Sequence, residues 1–279
     1  MLVGIVLAVA ALGADGAQGH LMIIGGGTKN PGVLARFVEL AGGAHARVVV
    51  YPMASQEADT GPWYADEIRA AGAGAVAVSM LDRAQADADA GLLPLEGATG
   101  VFFTGGDQSR LTAALLGTRV HARIRELYRS GGVVGGTSAG AAVMSRVMIT
   151  GDERRADPDQ PFRSIEADDV VTSEGLGLLE EDVVIDQHFV RRRRQNRLLS
   201  LVLQDPRAIG VGIDEETALL VGPDRTAEVL GAGPVLVLDA RGARTRVDPT
   251  DHGLRAAGVA LHVLRHGDRY DFKTGEVAP

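Results

Sequence analysis

GGVVGGTSAGAAVM, residues 131–144, joins a short β-branched run to a glycine-rich turn and a run of alanines. Val133 and Val134 have the character of a buried parallel strand. Gly136-Thr137-Ser138-Ala139-Gly140 then matches G-x-S-x-G. In that motif a serine sits on a tight strand-to-helix turn with its hydroxyl pushed outward. Glycine is needed there because a Cβ would collide with the neighbouring strand or helix. Ala139, Ala141 and Ala142 favour a helix that starts close against the sheet. The Ala139 N–H falls at that helix start, where unpaired donors and the macrodipole favour negative charge, the setting of half an oxyanion hole. A glycine-rich turn with an incidental serine has the same pattern, so the motif needs partners elsewhere in the chain.

Outward from this turn, strands alternate with helices. Apolar runs over 21–24, 46–51, 75–80 and 100–104 read as strands, and 33–40, 63–71 and 109–116 as helices. The acidic, alanine-rich segment 83–90 reads as an exposed helix. Gly25-Gly-Gly27 reads as a structural turn, because it lacks the GxGxxG spacing and any Lys-Ser/Thr that would hold a phosphate. Downstream, the polar, proline-containing RRADPDQPFRSIE (154–166) suggests a long loop or flap. A strand over 183–185, a helix over 190–203 and a strand over 208–213 follow. The remaining short runs, 218–221, 227–230, 234–238, 259–264 and 270–272, read as small antiparallel strands. This alternation predicts an α/β fold with a doubly wound, mostly parallel sheet. No internal repeat or linker divides 20–279, which is expected to be a single α/β domain.

Composition narrows the function. The chain has 279 residues, 46% of them hydrophobic, enough to bury a full core. Its formal net charge is −8, whereas a nucleic-acid or membrane-surface binder is normally basic, so neither partner is expected. With no cysteine there is no disulfide, thiolate metal site or cysteine nucleophile. The seven histidines form no H-E-x-x-H or tight His/Asp cluster, so no metal and no cofactor is expected. Residues 2–12, LVGIVLAVAAL, followed by small residues to 19, have the h-region and cleavage-region pattern of a signal peptide without its basic n-region. Export to the periplasm or medium is the expectation, and an N-terminal extension of a cytoplasmic protein is the alternative.

A serine nucleophile needs a base, and the base needs an acceptor that fixes its tautomer. His188 ends one predicted strand and Glu215 follows the next. Glu215 shares a strand face with Val211 and Ile213, while Asp214 and Glu216 point the other way. Glu215 favours the imidazolium, so it is expected to raise the His188 pKa. Active sites of open parallel sheets form at the carboxyl ends of strands. The turn Gly105-Gly106-Asp107-Gln108 is therefore expected beside the serine. It offers a second oxyanion donor at Gly106, a substrate-binding amide at Gln108 and an N-cap at Asp107. The order Ser, His, Glu differs from the Ser, Asp/Glu, His order of α/β-hydrolases, which weakens a lipase or esterase reading. Of the arginines at 191–194 and 197, some are expected to face the site and grip carboxylates of a carboxylate-rich substrate.

Together these stretches resemble the cyanophycinases, serine peptidases grouped with aspartyl dipeptidases of the peptidase E type. The resemblance is carried by IIGGG, AGGAHARVVVYP, FFTGGDQ, GGTSAGA, DQHFVRRRRQNRL, GIDEETAL and GLRAAGVALHVLRHGDRYDF, from His20 to Phe272. It implies a flavodoxin-like fold related to class I glutamine amidotransferases, usually as a homodimer. It implies Ser138 as nucleophile, His188 as base and Glu215 as its partner. It also implies a substrate pocket of Gln108, Asp186, Gln187, Arg192, Arg194 and Arg197. The implied substrate is cyanophycin, a poly-aspartate with arginine on each β-carboxyl, cleaved to β-Asp-Arg dipeptides. An isoaspartyl or α-aspartyl dipeptidase and a non-catalytic binding protein are the alternatives on the same scaffold. The turn GGGTKN (25–30) departs from the GGAEDK frequent in the family.

Overall fold

The structure, a computed structural model, describes residues 17–27, 31–155, 161–179, 182–205 and 207–279. The signal-like run 2–12 lies outside these residues, as does the middle of the flap expected over 154–166.

Five strands run parallel: β1 (His20–Ile24), β2 (Arg47–Tyr51), β3 (Ala75–Val78), β4 (Gly100–Phe103) and β5 (Val133–Thr137). Their spatial order is β1-β5-β4-β2-β3. Most of these strands are apolar without alternation because both faces are covered. Met22, Val48, Val50, Phe102 and Val133 pack against Val33, Phe37 and Val38 of α1 (Pro31–Leu40) and Ile68 of α2 (Thr60–Ala70). Their neighbours Leu21, Ile23, Val49, Val101, Phe103 and Val134 point to the opposite side.

Two short helices, α3 (Arg83–Asp87) and α4 (Asp89–Leu92), replace the one exposed helix expected over 83–90. Asp82 caps α3 with a reciprocal box to Gln85, the chain is extended at Ala88, and Ala86 is buried. Then comes α5 (Gln108–Leu115), the helix expected over 109–116, followed by α6 (Arg119–Arg129), which was not expected. The latter is capped by Thr118 and buries Val120, Ile124 and Leu127 on one face. The helix after Ser138, α7, is a single turn (Ala139–Ala142).

Beyond it, β6 (Val147–Glu153) and β7 (Val170–Glu174) pair antiparallel, so the expected flap is the connection of a hairpin. Next come β8 (Val183–Gln187), α8 (Gln195–Gln204), β9 (Ile209–Ile213), β10 (Thr217–Val221), β11 (Thr226–Gly231) and β12 (Val235–Asp239). The last strands are β13 (Arg244–Val247), β14 (Leu254–Ala257), β15 (Ala260–Leu264), β16 (Arg269–Asp271) and β17 (Val277–Ala278). The C-terminal strands divide among three sheets, the smallest of them the antiparallel pair β13–β14. β10, β11, β16 and β17 extend the large sheet antiparallel beyond β1, to nine strands. β12 and β15 join β9 and β8 in a second sheet of four. Side chains of that second sheet, among them Ile185, Val211, Ile213 and Val237, share one core with α5, α6 and the large sheet.

Tyr51 lies in that shared core, stacked on Phe103, and its hydroxyl finds no partner among the described residues. Burial alone pushes its pKa up. An unpaired buried hydroxyl is destabilising, so Tyr51→Phe is expected to add about 1 kcal/mol. That corresponds to a rise in Tm of about 2–4 °C in a thermal melt. A fall in Tm means the hydroxyl has a partner.

Candidate active site

The backbone sets the position of every reactive side chain. Ser138 leaves β5 at φ 52 and ψ −111 and caps α7. The two motif glycines make this turn sterically feasible. A Cβ on Gly136 would lie 2.3 Å from Gly140 O, and one on Gly140 would lie 2.3 Å from Phe103 O. His188 ends β8 at φ 49, and Glu216, after β9, has φ 56. Left-handed non-glycine residues cost about 1–3 kcal/mol each and persist where surrounding contacts over-determine them.

Those contacts come from one turn. Ile24 O accepts from Ser138 N (3.0 Å), Gly25 O from His188 N (2.7 Å) and Gly26 O from Glu216 N (2.8 Å). Gly25 N in turn donates to Thr217 O (2.9 Å). The glycine turn after β1 thus ties together the ends of β5, β8 and β9, a role that sequence reading missed. Gly26 also lies flat against the His188 ring. A Cβ there would fall 2.2–2.7 Å from Cε1, Nε2 and Nδ1.

Ser138, His188 and Glu215 come together in a line. His188 Nε2 is 2.9 Å from Ser138 Oγ, and Nδ1 is 2.7 Å from Glu215 Oε1. The other two acids of the segment are used differently. Asp214 Oδ1 accepts from Arg191 N (2.9 Å), and Glu216 faces another side of the glycine turn. Pairing of β4 with β5 sets the Gly105-Gly106 turn beside Ser138, with a Cβ on Gly105 only 3.4 Å from Ser138 Cβ. The N–H groups of Gly106 and Ala139 donate to no described residue. Asp107 caps α5 through Ser109 N, and Gln108 Nε2 donates to Ile149 O (2.8 Å) and Thr150 O (2.6 Å).

The arginine-rich segment is not helical from 190 as expected. It turns tightly after His188, with Arg193 at φ 54, and α8 begins only at Gln195. The strained turn keeps Arg191, Arg192 and Arg193 exposed on the rim. Arg194 reaches back to Gln187, donating to its O (2.6 Å) and Oε1 (2.5 Å). Burial, then Arg197, lower its pKa to about 10, which leaves it charged at neutral pH. Asp186 and Arg197 do not reach the rim. Their side chains are 0% and 3% exposed, and Arg197 grips both carboxylate oxygens of Asp186 through Nε and Nη2. Its guanidinium also lies 5.1 Å from the Phe162 ring centroid. Removing one partner of such a pair strands the other charge, so Arg197→Met is expected to lose about 3–5 kcal/mol in denaturant unfolding. An Arg197→Met protein as stable as the parent contradicts this.

Burial lowers the His188 pKa below the ordinary histidine value. The hydrogen bond to Glu215 raises it, as expected, without overcoming burial, and the Arg192 charge lowers it further. Burial outweighs that contribution, and the lowered pKa favours the neutral imidazole at pH 7. Glu215 in turn is held below its usual range, chiefly by its hydrogen bond to His188. Following the His188 ring resonance by NMR, Glu215→Gln is expected to lower its pKa further and Arg192→Gln to raise it. Shifts in the same direction contradict this balance.

The chain is similar over most of its length to known proteins. The model of peptidase family S51 matches residues 21–229. A protein named cyanophycinase from Thermosynechococcus vestitus is 38% identical over 274 residues, covering 94% of this chain and 82% of its own. Another so named, from Geminocystis herdmanii, is 37% identical over 270 residues, covering 92% and 95%. The crystal structure of a peptidase from an acI-B1 actinobacterium superposes with a TM-score of 0.65 at 23% identity, covering 92% and 98%. A putative peptidase E from Listeria monocytogenes gives 0.51 at 18% identity, covering 78% and 100%. At these identities the two crystal structures speak for the fold. The family match and the relatives decide the class: the chain belongs to peptidase family S51 and is a serine peptidase.

Proposed function

We propose that the chain degrades cyanophycin, cleaving its poly-aspartate backbone to β-Asp-Arg dipeptides through Ser138, His188 and Glu215. The chemistry is carried by one observation, the hydrogen-bonded line from Glu215 Oε1 through both ring nitrogens of His188 to Ser138 Oγ. The substrate is supported by relatives named cyanophycinase at 36–38% identity.

In this reading Glu215 accepts the Nδ1 proton, which leaves Nε2 as the basic atom facing Ser138. Nε2 takes the hydroxyl proton as Oγ attacks an aspartyl backbone carbonyl. The N–H groups of Ala139 and Gly106 receive the oxyanion, and losing one such donor costs about 3 kcal/mol of barrier. His188 then passes its proton to the leaving amide nitrogen, and an ester on Ser138 remains. Water, deprotonated by the same imidazole, hydrolyses that ester and restores the hydroxyl. Arg192 on the rim meets substrate carboxylates. Arg194 and Gln187 form the wall behind it, and the Asp186–Arg197 pair positions that wall from below.

Purified protein assayed on insoluble cyanophycin and on a panel of α- and β-aspartyl dipeptides tests the substrate. Release of β-Asp-Arg from the polymer is expected, and dipeptide cleavage with an intact polymer sinks the reading in favour of an aspartyl dipeptidase. Ser138→Ala is expected to lose several orders of magnitude in kcat with an unchanged melt. Gly26→Ala, which pushes the imidazole aside, is expected to lose about 100-fold. Its melt is recorded alongside, because φ +113 strains an alanine. Normal turnover in either variant contradicts the assigned roles.

A further inference from the structure

The helix that carries Ser138 is a single turn, too short to satisfy its own last carbonyls. The segment that follows β7 supplies the missing donors. Leu176 N donates to Val143 O (2.6 Å), Leu178 N to Met144 O (2.9 Å) and Gly175 N to Arg146 O (2.9 Å). A Cβ on Gly175 would lie 2.1 Å from Ser145 O, so the approach is open to glycine alone. The backbone on either side of Ser145 is thereby held, and its side chain is turned toward β8.

Ser145 is 0% exposed, and its Oγ accepts from Ile185 N at 2.9 Å. Ile185 is fully buried too. Strand β8 is an edge of the four-stranded sheet, so an N–H on its outer side has no neighbouring strand to receive it. Left unpaired at this depth, such a group is costly. A hydroxyl on the facing segment meets the need, which accounts for a polar residue among the buried Val143, Met144 and Met148. The bond also joins the two elements that carry the nucleophile and its base.

We infer that Ser145 is a positioning residue for the reaction, its hydroxyl fixing the separation of α7 from β8 and so the reach between Ser138 Oγ and His188 Nε2. The inference rests on the proposed roles of Ser138 and His188, not on the identity of the substrate. Two hydrogen bonds close a ring through both elements. From Ser138 the chain descends α7 to Ser145 and crosses to Ile185. It then rises three residues along β8, about 10 Å, to His188 and returns to Ser138 Oγ. The carbonyls of Ile24 and Gly25 tie the reactive end of this ring, and Ser145 ties the far end. Without the far tie both elements pivot on one end, and small displacements of reacting groups are felt in turnover.

Two readouts separate positioning from mere support of the fold. The first is labelling by 4-(2-aminoethyl)benzenesulfonyl fluoride, in which the Oγ–S bond forms, fluoride leaves and His188 takes the hydroxyl proton. The parent is expected to take up one label per chain, located at Ser138 by mass spectrometry. Ser145→Ala is expected to reach the same end point about tenfold more slowly. The second readout is turnover of an aspartyl peptide, in which Ser145→Ala is expected to lose about tenfold in kcat with KM within about twofold. Ser145→Thr keeps the acceptor and is expected to recover to within about threefold of the parent. Ser145→Val has the same shape without the hydroxyl and is expected to follow Ser145→Ala. Labelling and kcat at the parent's level in Ser145→Ala overturn the inference. So does a lowered end point with an unchanged rate, which marks partial unfolding rather than misalignment. If Ser145→Ala does not fold, equal rates in Ser145→Thr and Ser145→Val overturn it. A parent that takes no label at Ser138 overturns the nucleophile assignment, and the inference with it.

Discussion

Three backbone carbonyls in a row, those of Ile24, Gly25 and Gly26, hold the N–H groups of Ser138, His188 and Glu216. Every other feature of the site depends on that constraint. The three acceptors belong to consecutive residues at the end of β1, so the residues they hold cannot drift apart without breaking a short hydrogen bond. The left-handed conformations at those positions, each unfavourable alone, are over-determined by it. Catalytic geometry tolerates only fractions of an ångström, and a backbone-to-backbone clamp supplies that tolerance without relying on flexible side chains.

Beneath the clamp lies a second constraint, electrostatic in kind. Asp186 is buried with Arg197 on both its oxygens, Gln187 N on one of them and Arg194 3.8 Å away. A buried pair of this sort contributes little net stability, but it fixes where its neighbours stand. Here it anchors the strand end that carries His188 and the turn that carries Arg192. The site is thus divided by layer. Charges below are satisfied by one another, and charges at the rim remain open to solvent.

Much of this was legible in the chain because the relevant signals are local. The short apolar runs marked the parallel strands, and the glycines of GGTSAG signalled a turn too crowded for a Cβ. The strand-end positions of His188 and Glu215 brought them into consideration together. What escaped was of two kinds. In α6 the periodicity of Val120, Ile124 and Leu127 was present behind its Thr118 cap, but four arginines within Arg119–Arg129 masked it. The role of Gly26 had no local signal, since three glycines after a strand read as a turn whatever contacts their carbonyls make. The arginine run was misread for a physical reason: the turn at Arg193 delays α8, and no propensity scale registers a left-handed arginine.

The same clamp fixes when the site comes into existence. Strand β1 lies between β5 and β10, pairing His20 with Val133 on one side and Leu21 with Val221 on the other. Its turn gathers residues from 138 to 217. Such long-range pairing makes for slow, late assembly, because loop closure must precede the contacts that reward it. A chain emerging from the ribosome therefore carries Ser138 long before it carries the clamp that holds it. The line from Glu215 through His188 to Ser138 is therefore a product of the last pairings of the sheet, and no local segment carries it alone.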